Sequence, residues 1–388
     1  MATVGDLADV LERLWPPAWA EAWDNVGLLI GGRDDPVRRC LCALDADVVS
    51  VTAAADAGAA LLISHHPLPF RPLRRIVAED PTGRAILLAA RRGVAIYAVH
   101  TNYDAHPDGI GRSLAGALGV RDPMPLHITA RETLYKLVVF TPAGHEDAVL
   151  HALASAGAGH LGHYSHCSFG APGTGTFLPL PGARPYVGHV GAVQRQSEVR
   201  LEVLVPESRR AAAVDAMRRA HPYEEVAYDL LRLENDGPPR GFGMLGELPR
   251  RTRLSAFAGT VARRLASPTT RFVGDPDRLV RRVAVCGGAG AEFAGAALEA
   301  GADVFVTADV RYHEAREAEA RGLALIDPGH QATEAPAVPA MVAVVQSALQ
   351  EAAYAVDVLQ EPARADVWRR ARMSVCGAGS TGPNSGAG

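Results

Sequence analysis

Apolar residues recur at helical spacing in some parts of the chain and form short runs in others. Between Val4 and Leu14 they return every three or four positions, which predicts a helix that the following Trp15-Pro16-Pro17 ends. Short apolar runs then alternate with helical segments: the predicted strands are Cys40 to Asp45, Leu61 to Ser64 and Val94 to Val99, and the predicted helices are Asp47 to Ala57 and Thr82 to Arg92. This β-α-β alternation is typical of an α/β sheet with helices on both faces.

The pattern changes between about Glu132 and Leu233. The predicted elements are a strand at Leu134 to Thr141, a helix at Glu146 to Ala156, short strand candidates before about Gly191, a strand at Val199 to Val205, a helix at Ser208 to Ala220 and a strand at Val226 to Leu233. A β-α-β-β-α-β order is typical of a small ferredoxin-like domain. The linker Glu234 to Pro239 closes this segment.

The α/β pattern resumes from about Arg253. Strands are predicted at Val283 to Val285, Val304 to Thr307, Leu323 to Ile326 and near Ala355 to Leu359, with helices up to Ala300 and from Val338 to Ala352. The predicted fold class is therefore α/β, with one half of a core at 1–130, an inserted α+β domain at 131–235 and the second half of the core at 236–372. The Gly/Ser-rich end predicts a disordered tail at 373–388.

The two predicted halves resemble each other in sequence. The segment from Ala57 to His66 aligns with Ala300 to Asp309, and Arg92-Gly93-Val94-Ala95 aligns with Arg321-Gly322-Leu323-Ala324. After a slip of one residue, His100-x-x-x-Asp104 pairs with His330-x-x-x-Glu334. Two α/β halves related in this way can face each other with their strand ends converging, and open sheets bind ligands at those carboxyl ends.

Five residues of metal-ligand type stand at these strand ends: His65, His66, Asp104, His330 and Glu334. One histidine at a strand end is more often a surface or core residue, but five ligand types at three ends predict a metal site. Adjacent histidines on extended chain point in opposite directions, which suits two metals or one metal and a bridging group. Imidazole and carboxylate without thiolate suit zinc, iron or manganese, and either Asp104 or Glu334 can bridge two ions.

Composition narrows the function classes. The 388 residues carry a formal net charge of −4, which leaves no overall electrostatic footprint for nucleic acid. The five cysteines are odd in number and have no C-x-x-C spacing, so we expect neither a disulfide framework nor a zinc-thiolate site. The expected location is therefore the reducing cytoplasm. No signal peptide and no apolar run long enough to span a bilayer is visible.

Three further motifs carry weaker signals. His160-x-x-His163-x-x-His166 looks like a metal cluster, but it lies in a Gly-rich stretch without carboxylates. Gly287 to Gly290 follows a strand but lacks the Lys-Ser/Thr of a phosphate loop, so we expect a close turn, with an anion-binding backbone as the alternative. The cluster of Arg71, Arg74 and Arg75 is either a solvated face or a contact for an anionic substrate.

Four motifs together resemble the Nif-three-like family, whose bacterial members are called type 2 GTP cyclohydrolase I. They are Trp23-Asp24-Asn25-Val26-Gly27-Leu28, Ser64-His65-His66-Pro67, His100-Thr101-Asn102-Tyr103-Asp104 and Gly329-His330-Gln331-Ala332-Thr333-Glu334. The resemblance runs from about residue 4 to about residue 360. The segment from His221 to Tyr228 is similar to the insert of the longer bacterial members, a domain compared with the PII and CutA folds.

The resemblance implies that His65, His66, Asp104, His330 and Glu334 hold two divalent metal ions per chain. It also implies a homohexameric ring, a trimer of dimers with its metal sites facing an internal cavity. His100 and His313 lie near the equivalent site and are candidates for acid/base groups. For His313, a surface position on a helix is an equal alternative.

The leading functional hypothesis is a metal-dependent hydrolase. Two divalent ions lower the pKa of bound water and polarise the bond under attack. The resemblance implies a purine nucleotide such as GTP as the small-molecule substrate, with opening of the imidazole ring on the way to dihydroneopterin triphosphate. The alternative is a non-enzymatic metal-binding regulatory or scaffold protein, in which the insert binds a partner or effector. A ring that encircles nucleic acid is disfavoured by the charge balance, and no membrane role is expected.

Overall fold

Helices and strands alternate along residues 1–369, the part of the chain that the computed structural model describes. The helices are α1 (Val4–Leu14), α2 (Val48–Asp56), α3 (Pro81–Arg92), α4 (Thr101–Asp104), α5 (Ile110–Leu118), α6 (Glu146–Ser155), α7 (Arg210–Ala220), α8 (Leu254–Arg264), α9 (Ala294–Glu299), α10 (Tyr312–Ala320), α11 (His330–Glu334) and α12 (Ala337–Glu351). The strands are β1 (Gly27–Ile30), β2 (Arg39–Ala43), β3 (Leu61–Ser64), β4 (Ala95–Ala98), β5 (Arg121–Arg131), β6 (Leu134–Pro142), β7 (Ser168–Phe177), β8 (Gln194–Pro206), β9 (Tyr228–Arg232), β10 (Pro239–Arg253), β11 (Arg271–Val273), β12 (Leu279–Val285), β13 (Val304–Val306), β14 (Ala324–Asp327) and β15 (Asp357–Gln360).

The first helix shows how the local sequence sets its bounds. The Thr3 hydroxyl accepts a hydrogen bond from the Asp6 backbone N–H at 3.2 Å, and the Asp6 carboxylate accepts one from the Thr3 backbone N–H at 2.8 Å. This reciprocal pair satisfies two amides that a helix start otherwise leaves without partners. The helix ends at Leu14, and Trp15, which is buried, and then Pro16 follow it. The prediction from apolar spacing is therefore confirmed.

The first sheet has the strand order β1-β4-β3-β2-β15. All neighbours are parallel except β1, which runs antiparallel to β4 at one edge. Both faces of β3 are buried: Leu61 and Ile63 pack in a cluster with α1 and α12, and Leu62 packs in another with α2 and α3. Strands buried on both faces are expected in parallel sheets that helices cover.

The second sheet has the order β11-β14-β13-β12-β10-β5. Its centre is parallel, and β11, β10 and β5 are antiparallel to their neighbours. Val283 and Val304 pack with α5 and α8 on one face, while Ala284 and Phe305 pack with α9 and α10 on the other. The carboxyl ends of both parallel regions carry the predicted ligands.

The long strands β5 and β10 were not predicted. The sequence of β5 contains prolines, and that of β10 contains prolines and closely spaced glycines, residues that usually indicate turns. In the structure the glycines let the two backbones approach: a Cβ on Gly241 would overlap the carbonyl oxygen of His127, and the register shifts beside it. Glycine in a strand interior often marks such a bulge or close approach.

Each sheet contains one strand from the other predicted half of the core. β5 precedes the inserted segment but belongs to the second sheet, and β15 belongs to the first sheet, parallel to β2. The bounds predicted for the two core halves, 1–130 and 236–372, therefore do not separate the two sheets. The predicted tail from residue 373 lies outside the described residues.

The inserted segment folds on a core of its own. Elements β6-α6-β7-β8-α7-β9 form an antiparallel sheet of order β7-β8-β6-β9 with two helices on one face. Leu137, Leu153, Val203 and Met217 are fully or almost fully buried between sheet and helices. The chain enters from β5 and leaves into β10, where Arg131 pairs directly with Pro239.

No helix of the described chain combines the length and apolar composition needed to cross a membrane.

The separate core of the insert generates a prediction. Replacing residues 132–238 with a short Gly/Ser linker should leave a folded core with full metal content, because Arg131 and Pro239 are already paired neighbours. The measurement is elemental analysis with circular dichroism, using the full-length chain as control. Insoluble protein, or a core that has lost its metal, would contradict the independence of the insert.

Candidate metal centre

The predicted ligands meet where the strands of the two sheets end. His65 and His66 follow β3, His100 precedes and Asp104 ends the single turn of α4 after β4, and His330 and Glu334 are the first and last residues of α11 after β14. Parallel strands bring such residues to one edge, and a histidine and a carboxylate four apart on a helix share a face. The structure therefore brings together all five predicted ligands, together with His100.

Glu334 lies at the centre of this cluster, and its side chain is 5% exposed. Its Oε1 lies 3.1 Å from His330 Nε2 and 3.7 Å from His65 Nε2, while Oε2 lies 3.1 Å from His66 Nε2. Asp104 Oδ1 lies 3.8 Å from His65 Nε2. Two groups have ligand atoms close enough to hold an ion, His65 with His66 and His100, and His66 with His330 and Glu334.

A second layer of acceptors orients all four imidazoles. The Nδ1 partners are the Val99 carbonyl for His65 at 2.9 Å, Asp45 for His66 at 2.8 Å, Asp24 for His100 at 2.8 Å and Asp309 for His330 at 2.7 Å. Because a carbonyl or an ionised carboxylate only accepts, each Nδ1 donates. Donation from Nδ1 turns Nε2 toward the centre, and this arrangement is usual around metal-bound histidine.

Two buried atoms of the cluster lack hydrogen-bond partners among residues 1–369: His65 Nε2 and Glu334 Oε2. Glu334 Oε2 is close to His66 Nε2, but their mutual direction makes no hydrogen bond. A buried polar atom without a partner costs about 1–3 kcal/mol. A cation between these atoms would satisfy both, so the donor set fits a metal.

The charges of the cluster are strongly coupled. Burial opposes ionisation of Glu334, yet the imidazoles of His330, His65 and His66 hold the pKa of this carboxyl well below its usual range. Burial also opposes protonation of His66, but Asp45 and Glu334 raise its pKa to about 10. Burial likewise opposes protonation of His330, but Glu334 and Asp309 raise its pKa to about 9. Protons on His66 and His330 thus balance the carboxylates, and a metal must displace them.

Two further groups differ from this pattern. Burial raises the pKa of Asp104 to about 6, against the attraction of the His65 imidazole. Burial likewise raises the pKa of the Cys286 thiol beside the centre, with Asp104 and Glu334 adding to the effect. Within residues 1–369 Cys286 belongs to neither group of potential ligands, so the donor set is imidazole and carboxylate.

The turn after β12 forms a wall of the centre. Gly288 has φ +62°, and a Cβ there would overlap Glu334 Oε1 and lie 3.2 Å from His330 Nε2. The Gly288 N–H donates to Thr333 Oγ1, and the Gly290 N–H donates to Thr307 Oγ1. These two amides are used within the protein, so the predicted close turn is what the structure shows.

Not every candidate reaches this centre. His313 is exposed near the start of α10 and does not line the cavity beside the ligands. Within the described chain, His160, His163 and His166 belong to no cluster of three potential ligands. The arginines at 71, 74 and 75 are exposed and also stand outside the cavity lining.

The acceptors Asp24, Asp45 and Asp309 were not predicted. Signals for them existed: Asp24 lies in the Trp23–Leu28 motif, Asp45 follows β2, and Asp309 aligns with His66 in the internal repeat. Burial opposes ionisation of Asp24, but hydrogen bonds from His100 and Thr101 lower its pKa to about 2. This carboxylate therefore stays ionised beside His100.

Four of the five predicted ligands, all except the buried His65, line the floor of a cavity of about 470 Å³. On one side Trp23 and Phe70 lie with their ring centres 6.0 and 5.9 Å from that of His100. On the other side Phe242 stacks on Phe293 at 5.7 Å. The unpredicted strand β10 supplies Phe242, so the cavity wall depends on an element that the apolar pattern did not indicate.

The family model Duf34/NIF3 (NGG1p interacting factor 3) matches residues 2–365. The chain belongs to the Duf34/NIF3 family. This confirms the resemblance drawn from the four sequence motifs.

Several relatives carry the name GTP cyclohydrolase 1 type 2 homolog. The one from Halalkalibacterium halodurans is 43% identical over 321 residues, 83% of this chain and 86% of its own length. The one from Mycobacterium tuberculosis is 41% identical over 341 residues, 86% of this chain and 88% of its own. Among solved structures, a Bacillus cereus protein related to NIF3 is 38% identical with a TM-score of 0.81, over 95% of this chain and 99% of its own.

The ligand set generates a second prediction. His66→Ala or Glu334→Ala should leave folded protein that has lost at least about one metal equivalent per chain, because each removes a donor from a shared site. Elemental analysis of purified protein measures it. His313→Ala, an exposed histidine outside the cavity, is the matched control. Unchanged metal in both variants would disprove the assignment.

The Gly288 turn generates a third prediction. Gly288→Ala should weaken metal affinity roughly 10–100-fold by displacing Glu334 and His330, an effect typical of disturbed ligand orientation. Gly322→Ala is the matched control, since Gly322 has φ +81° but open space around its Cα. Competition with a chromogenic chelator measures the affinity. Equal losses in both variants would attribute the effect to backbone strain alone.

Proposed function

We propose that this protein is a hydrolase that uses two divalent metal ions per chain, zinc, iron or manganese, on a purine nucleotide such as GTP. The observation that carries the proposal is the convergence of four Nε2 atoms and two carboxylates at the floor of an aromatic cavity, with two buried atoms lacking partners among residues 1–369. When bound, such ions activate water and polarise the bond under attack.

The ligands in this proposal are His65, His66, Asp104, His330 and Glu334. Glu334 is the bridging candidate, because its two oxygens face different imidazoles, Oε1 toward His330 and Oε2 toward His66. Asp104 approaches the centre from the side of His65. Imidazole and carboxylate donors without thiolate are the set that zinc, iron and manganese share.

His100 is the candidate for proton transfer in this proposal. Its Nδ1 is hydrogen-bonded to the ionised Asp24, and its Nε2 lies on the cavity side among the ligand atoms. A carboxylate on Nδ1 fixes the ring and stabilises the imidazolium, which suits an imidazole that takes and returns a proton at Nε2. His313, the other acid/base candidate, is exposed and does not line the cavity of its own chain, so this proposal assigns it no step.

The cavity walls support a planar substrate. Trp23 and Phe70 border the floor on one side, and Phe242 and Phe293 on the other. Aromatic faces stack well on nucleobases, which fits a purine placed above the metal centre. The names of the relatives, GTP cyclohydrolase 1 type 2 homolog, agree with this substrate class.

Family membership supports the remaining parts of the proposal: a homohexameric ring, a cytoplasmic location and a core of two repeat-related halves. The strand order of the insert supports a ferredoxin-like domain of the PII/CutA type. The alternative function is a non-enzymatic metal-binding regulator, and a cavity of about 800 Å³ in the insert, lined by none of the metal ligands, favours it. Turnover that depends on added metal distinguishes the hydrolase from the regulator.

The charge of Asp104 generates a fourth prediction. Asp104→Asn should lower both metal content and kcat, because the neutral amide keeps the shape but binds a cation poorly. Steady-state kinetics on GTP and other purine triphosphates, with metal measured on the same samples, tests this. Full metal and full rate in the variant would leave the binding-protein function as the better explanation.

The His100–Asp24 pair generates a fifth prediction. His100→Ala should keep its metal and lose about 10²–10⁴-fold in kcat, the range expected when a positioned acid/base group is removed. The same kinetic and elemental measurements apply. If metal content fell in parallel with the rate, His100 would be a ligand rather than a proton-transfer group.

A further inference from the structure

The insert holds a second cavity, of about 800 Å³, far from the metal ligands in sequence and lined by none of them. It lies on the sheet face that the helices leave open. On β8 the odd positions Leu201, Val203 and Val205 pack in the core of the insert, so the even positions face the opposite side. That side of an antiparallel sheet usually meets solvent.

Glu198 is an exception on this open face. It is only 8% exposed, although it stands at an even position of β8. Gly175 on β7 makes room for it, since a Cβ there would overlap the Glu198 carboxylate. A charged side chain is seldom buried unless it is paired.

No cation pairs with Glu198 within residues 1–369. The Tyr223 hydroxyl donates to Glu198 Oε1 at 3.1 Å, which leaves the negative charge uncompensated. Arg200 also lines the cavity, but it pairs with Glu202 at 3.2 Å. Glu224 and Glu225 line the same cavity, so the site disfavours an anion.

Aromatic rings line the same cavity as Glu198. The ring centre of Tyr223 lies 6.0 Å from that of Phe177 and 6.2 Å from that of Tyr186. Rings at such spacing around a pocket attract a cation through their negative faces, and quaternary ammonium groups are recognised in this way. The volume lies within the range of small-molecule pockets.

We propose that this cavity binds a small organic ammonium compound, with Glu198 as the counter-charge and Phe177, Tyr186 and Tyr223 as the aromatic wall. The cation occupies the position that a lysine or arginine would fill in an internal ion pair. The metal centre and its reaction do not enter this proposal, which stands or falls separately from the hydrolase.

Calorimetric titration of the full-length, metal-loaded protein tests the proposal. The probes are choline, tetramethylammonium and propylammonium at constant ionic strength, and 3,3-dimethylbutan-1-ol as the neutral analogue of choline. We expect at least one ammonium probe to bind, and in the choline pair the neutral alcohol to bind at least about tenfold more weakly. No binding by any ammonium probe, or equal affinity for choline and the alcohol, would overturn the proposal.

Variants locate the binding. Glu198→Gln keeps the shape and the acceptor for Tyr223, and it should reduce ammonium affinity at least about tenfold without changing metal content. Tyr186→Leu, at a half-exposed ring, should also weaken binding. Glu207→Gln, just beyond β8 and outside the cavity lining, is the matched control. If Glu198→Gln bound the ammonium probes like the control, Glu198 would not be the counter-charge and the proposal would be overturned. If Tyr186→Leu changed only the oligomeric mass, the face would be a contact between copies and not this ligand site.

Discussion

The structure depends on one buried carboxylate, which lies among imidazoles where the two sheets meet and must keep those partners to stay ionised. Glu334 can stay ionised at its buried position only because His65, His66 and His330 surround it. A buried charge without such partners destabilises a protein strongly. Since two of these histidines follow the first sheet and the third follows the second, the cluster can form only when both sheets have docked.

The groups that accept hydrogen bonds from the Nδ1 atoms of the histidines come from four separate parts of the chain, and all four are needed to orient the imidazoles. The four imidazoles are held by groups from the loop before β1, the end of β2, the end of β4 and the segment after β13. Ligand orientation is therefore a property of several short loops, each fixed by a buried strand. A small shift of any of these strands moves one acceptor, and through its hydrogen bond it changes the orientation of one imidazole at the centre.

Much of the fold and the ligand set could be predicted from the sequence, because strong local signals carried them. Apolar periodicity located α1 and the parallel strands, and the histidine motifs stood at strand ends where parallel sheets place their ligands. β5 and β10 could not be found in this way, since the prolines of both strands and the glycines of β10 indicate turns, whereas in the structure Gly241 serves a close backbone contact with β5. The hydrogen bond between Asp24 and His100, which are 76 residues apart in sequence, likewise depends on tertiary structure alone.

The pairing of β15 with β2 has a consequence for synthesis. Asp357 pairs with Arg39, so the first sheet keeps an open edge at β2 until synthesis has reached the residues of β15. Strands that wait in this way expose backbone groups to other chains, and such long-range pairing forms slowly. The insert, whose core is local, can fold in the meantime. The nascent protein thus depends on β15 to cover the β2 edge of the first sheet, where backbone groups would otherwise be open to pairing with other chains.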